Sequence, residues 1–210
     1  MSHSSHSPLA RPSSDASAGT ASAPLHLFPL GLVLLPGAAL SLRVFEPRYL
    51  DLVRECSRAG SGFGICLILD GSEVGPPATP ASVGTEARIE DFGNTPEGLL
   101  GLRVRGCRRF RLRTTTCRDN GLLMGDVEWC DPDPDDELRP EHAVLGLMLR
   151  KLLDEFGGEH AQAPSHLLDD ASWVGWRLSE LLPLTPAQRL DILQADDPHS
   201  RLDILIRCIA

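Results

Sequence analysis

The sequence predicts an α+β protein, with strands in its first half and helices in its second. Between residues 85 and 129, apolar and charged residues alternate with the period of two expected of a half-buried strand. The run Asp131-Pro132-Asp133-Pro134-Asp135-Asp136-Glu137 then breaks that pattern. Beyond Pro140 the apolar spacing changes to three and four, as one face of a helix requires. On this reading residues 1–24 are a disordered tail and 25–130 a β half with one helix. Residues 131–139 are an acidic linker and 140–210 a helical half.

Phe28-Pro29-Leu30 opens a short strand, Leu35-Pro36-Gly37 makes a corner, and Leu40, Leu42 and Val44 mark a second strand. Phe45-Glu46-Pro47-Arg48-Tyr49 starts a helix, since proline suits the first turn, where its missing amide has no intrahelical partner. Leu50, Val53 and Cys56 then share one side of that helix. Residues 63–69 are almost continuously apolar, as in a strand covered on both faces. The preceding Gly60-Ser61-Gly62-Phe63-Gly64 has neither dinucleotide nor Walker spacing and leads into a strand, so it is a turn and not a phosphate loop. Residues 70–82 form a loop by their glycine and proline content.

In the strands that follow, Ala87 and Ile89 alternate with Glu86, Arg88 and Glu90. Leu102, Val104, Phe110 and Leu112 share one parity, and Arg103, Arg105, Arg109, Arg111 and Arg113 the other. Asn120-Gly121 is a hairpin turn. An arginine row of roughly 33 Å on a straight strand invites a nucleic-acid reading. However, residues 85–129 hold eight basic and seven acidic side chains. A phosphate track needs uncompensated charge. Solvated arginines paired across strands with Glu86, Glu90, Asp126 and Glu128 are therefore the favoured reading.

The acidic run lacks the glycine and the closing glutamate of a calcium loop, and reads as a linker feeding the positive end of a helix. Val144, Met148, Leu152 and Phe156, with Leu145, Leu149 and Leu153 beside them, predict a helix buried on most sides and ended by Gly157-Gly158. Asp169 or Asp170 caps the next, with Trp173, Val174, Trp176, Leu178 and Leu181 on its inner surface, the tryptophans as core filling. Thr185-Pro186-Ala187-Gln188 is a capping box. Asp197-Pro198 starts a last helix with Leu202, Leu205, Ile206 and Ile209 facing the core.

A net charge of −9 argues against a general nucleic-acid or anionic-membrane binder. None of the six cysteines stands in a Cys-x-x-Cys pair; Cys56, Cys66 and Cys208 read as buried, reduced thiols, and the compartment as cytoplasmic. No stretch approaches the ~20 apolar residues of a membrane span. His3 and His6 lie in the tail, and His160 and His166 in a loop, so no metal site is expected. With Lys151 the sole lysine, there is neither a Gly-Lys-Ser/Thr loop for ATP nor a serine–lysine dyad. No hydrolase motif appears, and neither catalysis nor a cofactor is expected.

Phe28-Pro29-Leu30, Pro36-Gly37 and Phe45-Glu46-Pro47-Arg48-Tyr49 together resemble the opening of the N-terminal domain of Lon proteases. Gly84, and Gly106 followed by Arg109-Phe110, are similar to its central strands. Leu181-Leu182-Pro183-Leu184-Thr185 and the helix after it are similar to its C-terminal part. The resemblance covers about residues 25–209 and implies a PUA-like β-barrel of about six strands followed by a helical bundle. It further implies a stand-alone form, without the ATPase and peptidase domains, that binds unfolded or hydrophobic polypeptide segments. In that role these motif residues are structural, the partners are polypeptide substrates or a protein, and RNA binding by the arginine face is the alternative.

Overall fold

The computed structural model describes residues 23–75 and 77–209. The stretch read as a tail lies, through residue 22, outside the described residues, as do His3 and His6. The first half contains β1 (Ala23–Leu30), β2 (Ala39–Val44), α1 (Pro47–Ala59), β3 (Phe63–Asp70), β4 (Thr79–Asn94), β5 (Leu100–Cys117) and β6 (Leu123–Trp129). After a 3-10 turn at Pro140–His142 come α2 (Ala143–Phe156), a second 3-10 turn (Ser165–Asp169), α3 (Ala171–Leu181), α4 (Pro186–Gln194) and α5 (Pro198–Ile209). β4 begins inside the stretch read as loop.

The six strands form one sheet in the order β2-β5-β4-β3-β1-β6, with a further pairing between β5 and β6. β5 makes this possible by its length. Residues 100–111 pair with β4, while residues 110–117 pair with β6. The pairings therefore run from β5 through β4, β3, β1 and β6 back to β5. β2 stands outside this circuit, antiparallel to residues 100–105 of β5. β1 and β3 pair in parallel, which requires the crossover that β2 and α1 supply.

The Leu35-Pro36-Gly37 corner brings the chain onto β5. Gly37 N donates to Gly106 O at 2.8 Å, and Gly106 N donates to Ala38 O at 2.9 Å. A Cβ on Gly106 would sit inside contact distance of the Leu35 carbonyl, so the corner closes only over a glycine. Gly37 itself has φ of 77°, in the left-handed region.

One apolar cluster runs from Phe28, Leu52 and Val104 in the strand half to Leu149, Trp176, Leu178 and Leu205 in the helices. A smaller one joins Leu27, Phe110 and Val127. The helix starts follow their caps. Asp170 accepts from Trp173 N at 2.6 Å, and Thr185 and Gln188 form the reciprocal box. Asp197 accepts from Ser200 N at 2.6 Å.

Three sequence expectations need correction. α2 is not buried on most sides, because Leu145, Gly146, Leu149 and Leu153 face inward while Val144 and Phe156 are exposed and Leu147 is 69% exposed. It lies at the surface, packed on one side only. Leu181, Ile209 and Cys208 are also less covered than expected, because α3 and α5 end at the surface. Arg109 does not belong to a solvated row, since the helical half lies over it and buries it.

Candidate functional site along the open edge of β2

Among the described residues β2 has one strand neighbour, so its other edge carries unpaired main-chain groups. The bond from Gly106 N to Ala38 O fixes the phase of the antiparallel ladder. Alternation then turns the amides and carbonyls of Leu40, Leu42 and Val44 toward β5, and those of Ala39, Ser41 and Arg43 outward.

A cavity of about 210 Å³ lies along this edge, lined by Phe28 and Leu30 of β1, Leu32, and Tyr49 of α1. Its wall includes both parities of β2, from Leu40 to Val44, so it follows the strand's edge and not one face. Phe45 and Val74, each 54% exposed, stand at its rim. Glu46, Glu73 and Arg43 supply its charge. A shallower hollow shares Ser41, Leu42 and Arg43 and adds Phe92, which is 67% exposed. The result is an apolar slot beside a free strand edge.

Of the motif residues, Phe28, Leu30, Phe45, Glu46 and Tyr49 line this slot, and the others lie outside it. Phe28 packs on Tyr49 with ring centroids 3.9 Å apart, and Pro29 and Leu30 are buried beside it. Burial raises the Tyr49 phenol, which stays protonated at neutral pH. Arg48 is buried and ties three segments together: Glu46 at 2.8 Å, the Glu73 carbonyl at 3.3 Å and the Gly121 carbonyl at 3.3 Å. Pro47 opens α1, and Pro36 and Gly37 make the corner. Gly84 and Phe110 face each other across β4 and β5, where a Cβ on Gly84 would strike the Phe110 ring. Phe45 alone among the motif aromatics is exposed, which its apolar character gave no means of foreseeing.

The arginine row is matched by acids. Arg103 and Arg105 both reach Glu90 and Glu159. Arg111 pairs with Asp196, Arg113 with Glu128, and Arg108 with Glu86. Glu90, Glu86 and Glu128 were legible as cross-strand partners; Glu159 and Asp196 come from the helical half and were not.

Asp133 of the acidic run has a role the sequence did not disclose. It accepts from Arg201 at 3.0 Å through each oxygen, from Arg109 at 3.3 Å and from the Trp176 indole at 2.7 Å. A cleft of about 370 Å³ between Pro36, Trp173 and Trp176 opens onto this group. Its charged side chains are spent on one another, with Arg177 bonded to Glu180, His160 and the Pro36 carbonyl. It is a joint between the halves.

Cys56, His26 and Glu55 fall in the order nucleophile, base, carboxylate. Sγ lies 3.9 Å from His26 Nδ1, and His26 Nε2 lies 2.9 Å from Glu55. But Cys56 is 0% exposed and burial raises its thiol, so neither substrate access nor a thiolate is provided. Burial pushes the Cys66 thiol from an ordinary 9.0 up to about 12. Its stabilising share is complete below pH 9.0 and is lost as pH rises toward 12. Unfolding free energy should therefore fall on the alkaline side, and less steeply in Cys66→Val, as urea titrations between those limits would show.

The family model described as "ATP-dependent protease La (LON) substrate-binding domain" matches residues 24–210. Among solved structures, a Lon N-terminal domain protein from Xanthomonas campestris is 56% identical. The match covers 88% of this chain and 98% of that one, with a TM-score of 0.76. The N-terminal domain of a Mycobacterium avium complex Lon protease shares the fold at 21% identity, covering 88% and 97% of the two chains, with a TM-score of 0.64.

Proposed function

Because this chain belongs to the Lon substrate-binding domain family, we propose that it is a non-catalytic module binding extended apolar segments of unfolded polypeptide along the free edge of β2. The observation that carries this reading is the coincidence of unpaired strand amides with an apolar slot on the same edge. An added strand would gain main-chain hydrogen bonds from Ala39, Ser41 and Arg43. Its alternate side chains would reach the slot between Leu30, Leu40 and Tyr49. Phe45 and Phe92 offer exposed rings to neighbouring side chains. Such a module would serve protein quality control, and six free thiols suit a reducing, cytoplasmic setting. No helix among the described residues is long and apolar enough to cross a membrane.

The test is a titration of fluorescent peptides with alternating apolar residues. Saturable binding with Kd on the order of 10 μM, little affected by salt, is expected. RNA binding through Arg105 and its neighbours is disfavoured because these guanidinium groups already hold carboxylates. That reading would require retention that collapses with salt and with Arg105→Glu. Peptides that never saturate would count against the β2 edge.

A further inference from the structure

The β2 slot has a cover. Glu73 and Val74, on the segment that follows β3, both line the slot, with Val74 exposed at the rim. Two glycines with left-handed backbone flank this piece, Gly71 with φ of 96° and Gly75 with φ of 97°. Between them Ser72 Oγ donates to the Val74 carbonyl at 2.5 Å, which makes the short segment a unit. Two contacts hold it down. Glu73 Oε1 accepts from Gly31 N at 2.7 Å, and the Glu73 carbonyl accepts from Arg48 at 3.3 Å.

From this geometry we infer that residues 71–75 form a hinged lid over the β2 slot, latched by the Glu73 carboxylate on the Gly31 amide. The inference rests on the reading of that edge as the binding site. Little opposes opening. Val74 is 54% exposed even when closed, so lifting it gives up little apolar burial. The stronger contact is a single hydrogen bond to a charged group at an exposed position, and the Arg48 bond is long. Gly71 at the near end tolerates the backbone change that opening requires, while the Pro76-Pro77 sequence after Gly75 stiffens the far end, so the segment swings mainly about Gly71. Opening breaks the bond from the Gly31 amide to Glu73, so this latch sets how often the slot is exposed to a polypeptide. The Phe-Glu-Pro-Arg-Tyr motif also gains a purpose here, because its arginine joins the lid to the start of α1 and to the Gly121 turn.

The latch is tested without relying on peptide binding. Leu40, half-buried in the slot, is replaced by cysteine, and its labelling by a maleimide is followed site by site by mass spectrometry. Adding Glu73→Ala should speed labelling about tenfold, the equivalent of losing one hydrogen bond to a charged group. Glu73→Gln, which keeps an acceptor oxygen, should give an intermediate rate. Cys66 should stay unreactive in every variant, which shows that the lid moves and not the whole fold. Peptide association should quicken by the same factor in Glu73→Ala. An unchanged labelling rate at Leu40→Cys overturns the lid. Faster labelling with no peptide binding in any variant keeps the lid and refutes the binding role.

Discussion

Arg201→Ala should destabilise the fold by about 3–5 kcal/mol, the range for removing one partner from a buried ion pair. Arg201 is 0% exposed, yet its guanidinium makes two bonds of 3.0 Å to Asp133 and donates to the Ala195 carbonyl at 3.2 Å. Its guanidinium carbon also sits 3.5 Å from the centroid of Trp176. Burial lowers the Arg201 pKa, and the Asp133 carboxylate opposes that shift. Truncation leaves Asp133 under the helical half with Arg109 and the Trp176 indole as its remaining partners. Arg109 softens the loss, which places the expected value at the lower end of the range. Urea denaturation at neutral pH measures it. Asp133→Ala should be comparably damaging, and the double substitution less than additive, because the two residues act as a unit. A change below about 1 kcal/mol in either variant would mean that the joint contributes no more than an exposed pair.

The largest effect on binding is expected from Ser41→Pro. Ser41 is exposed and its amide points away from β5, so proline there removes a donor from the free edge while sparing the ladder with β5. The preceding Leu40 is already extended, as proline demands of its neighbour. Affinity for apolar peptides should fall at least about tenfold, since one paired amide and the fit of the added strand are both lost. Stability should change by less than about 1 kcal/mol, as expected of an edge position. Leu40→Pro is the contrasting variant: its amide faces β5, so it should damage the sheet itself. If Ser41→Pro binds peptide as tightly as the parent, the segment does not pair with β2.

Much of this architecture was legible from local chemistry. The shift from a period of two to one of three and four separated strands from helices. Thr185 was readable as a cap, and the Asp169-Asp170 pair as holding one, because each sits just before a helical apolar run; the structure assigns Asp170. Glu90 and Glu128 were readable as arginine partners because they lie on adjacent strands. The joint at Asp133 was not, because Arg109, Trp176 and Arg201 lie 24, 43 and 68 residues further along or back in the chain. No local pattern marks such a meeting. Arg109 shows the same limit, since alternation assigns a strand face but not what later covers it. α2 shows the reverse: Arg150, Lys151, Asp154 and Glu155 mark its bare side, and the apolar Val144 and Leu147 on that same side masked the signal. The site itself was hidden for a third reason. The corner before β2 could be read from Pro36-Gly37, but its pairing with β5 alone, which leaves the other edge free, depends on a strand about sixty residues distant.

The most direct test of the β2 edge is to follow its amides by NMR hydrogen exchange while an apolar peptide is added. The amides of Ser41 and Arg43 should exchange freely in the unbound protein and become protected as peptide saturates, while those of Leu40 and Leu42 are protected throughout. Saturable binding that leaves Ser41 and Arg43 exchanging as before would place the polypeptide elsewhere and contradict the account.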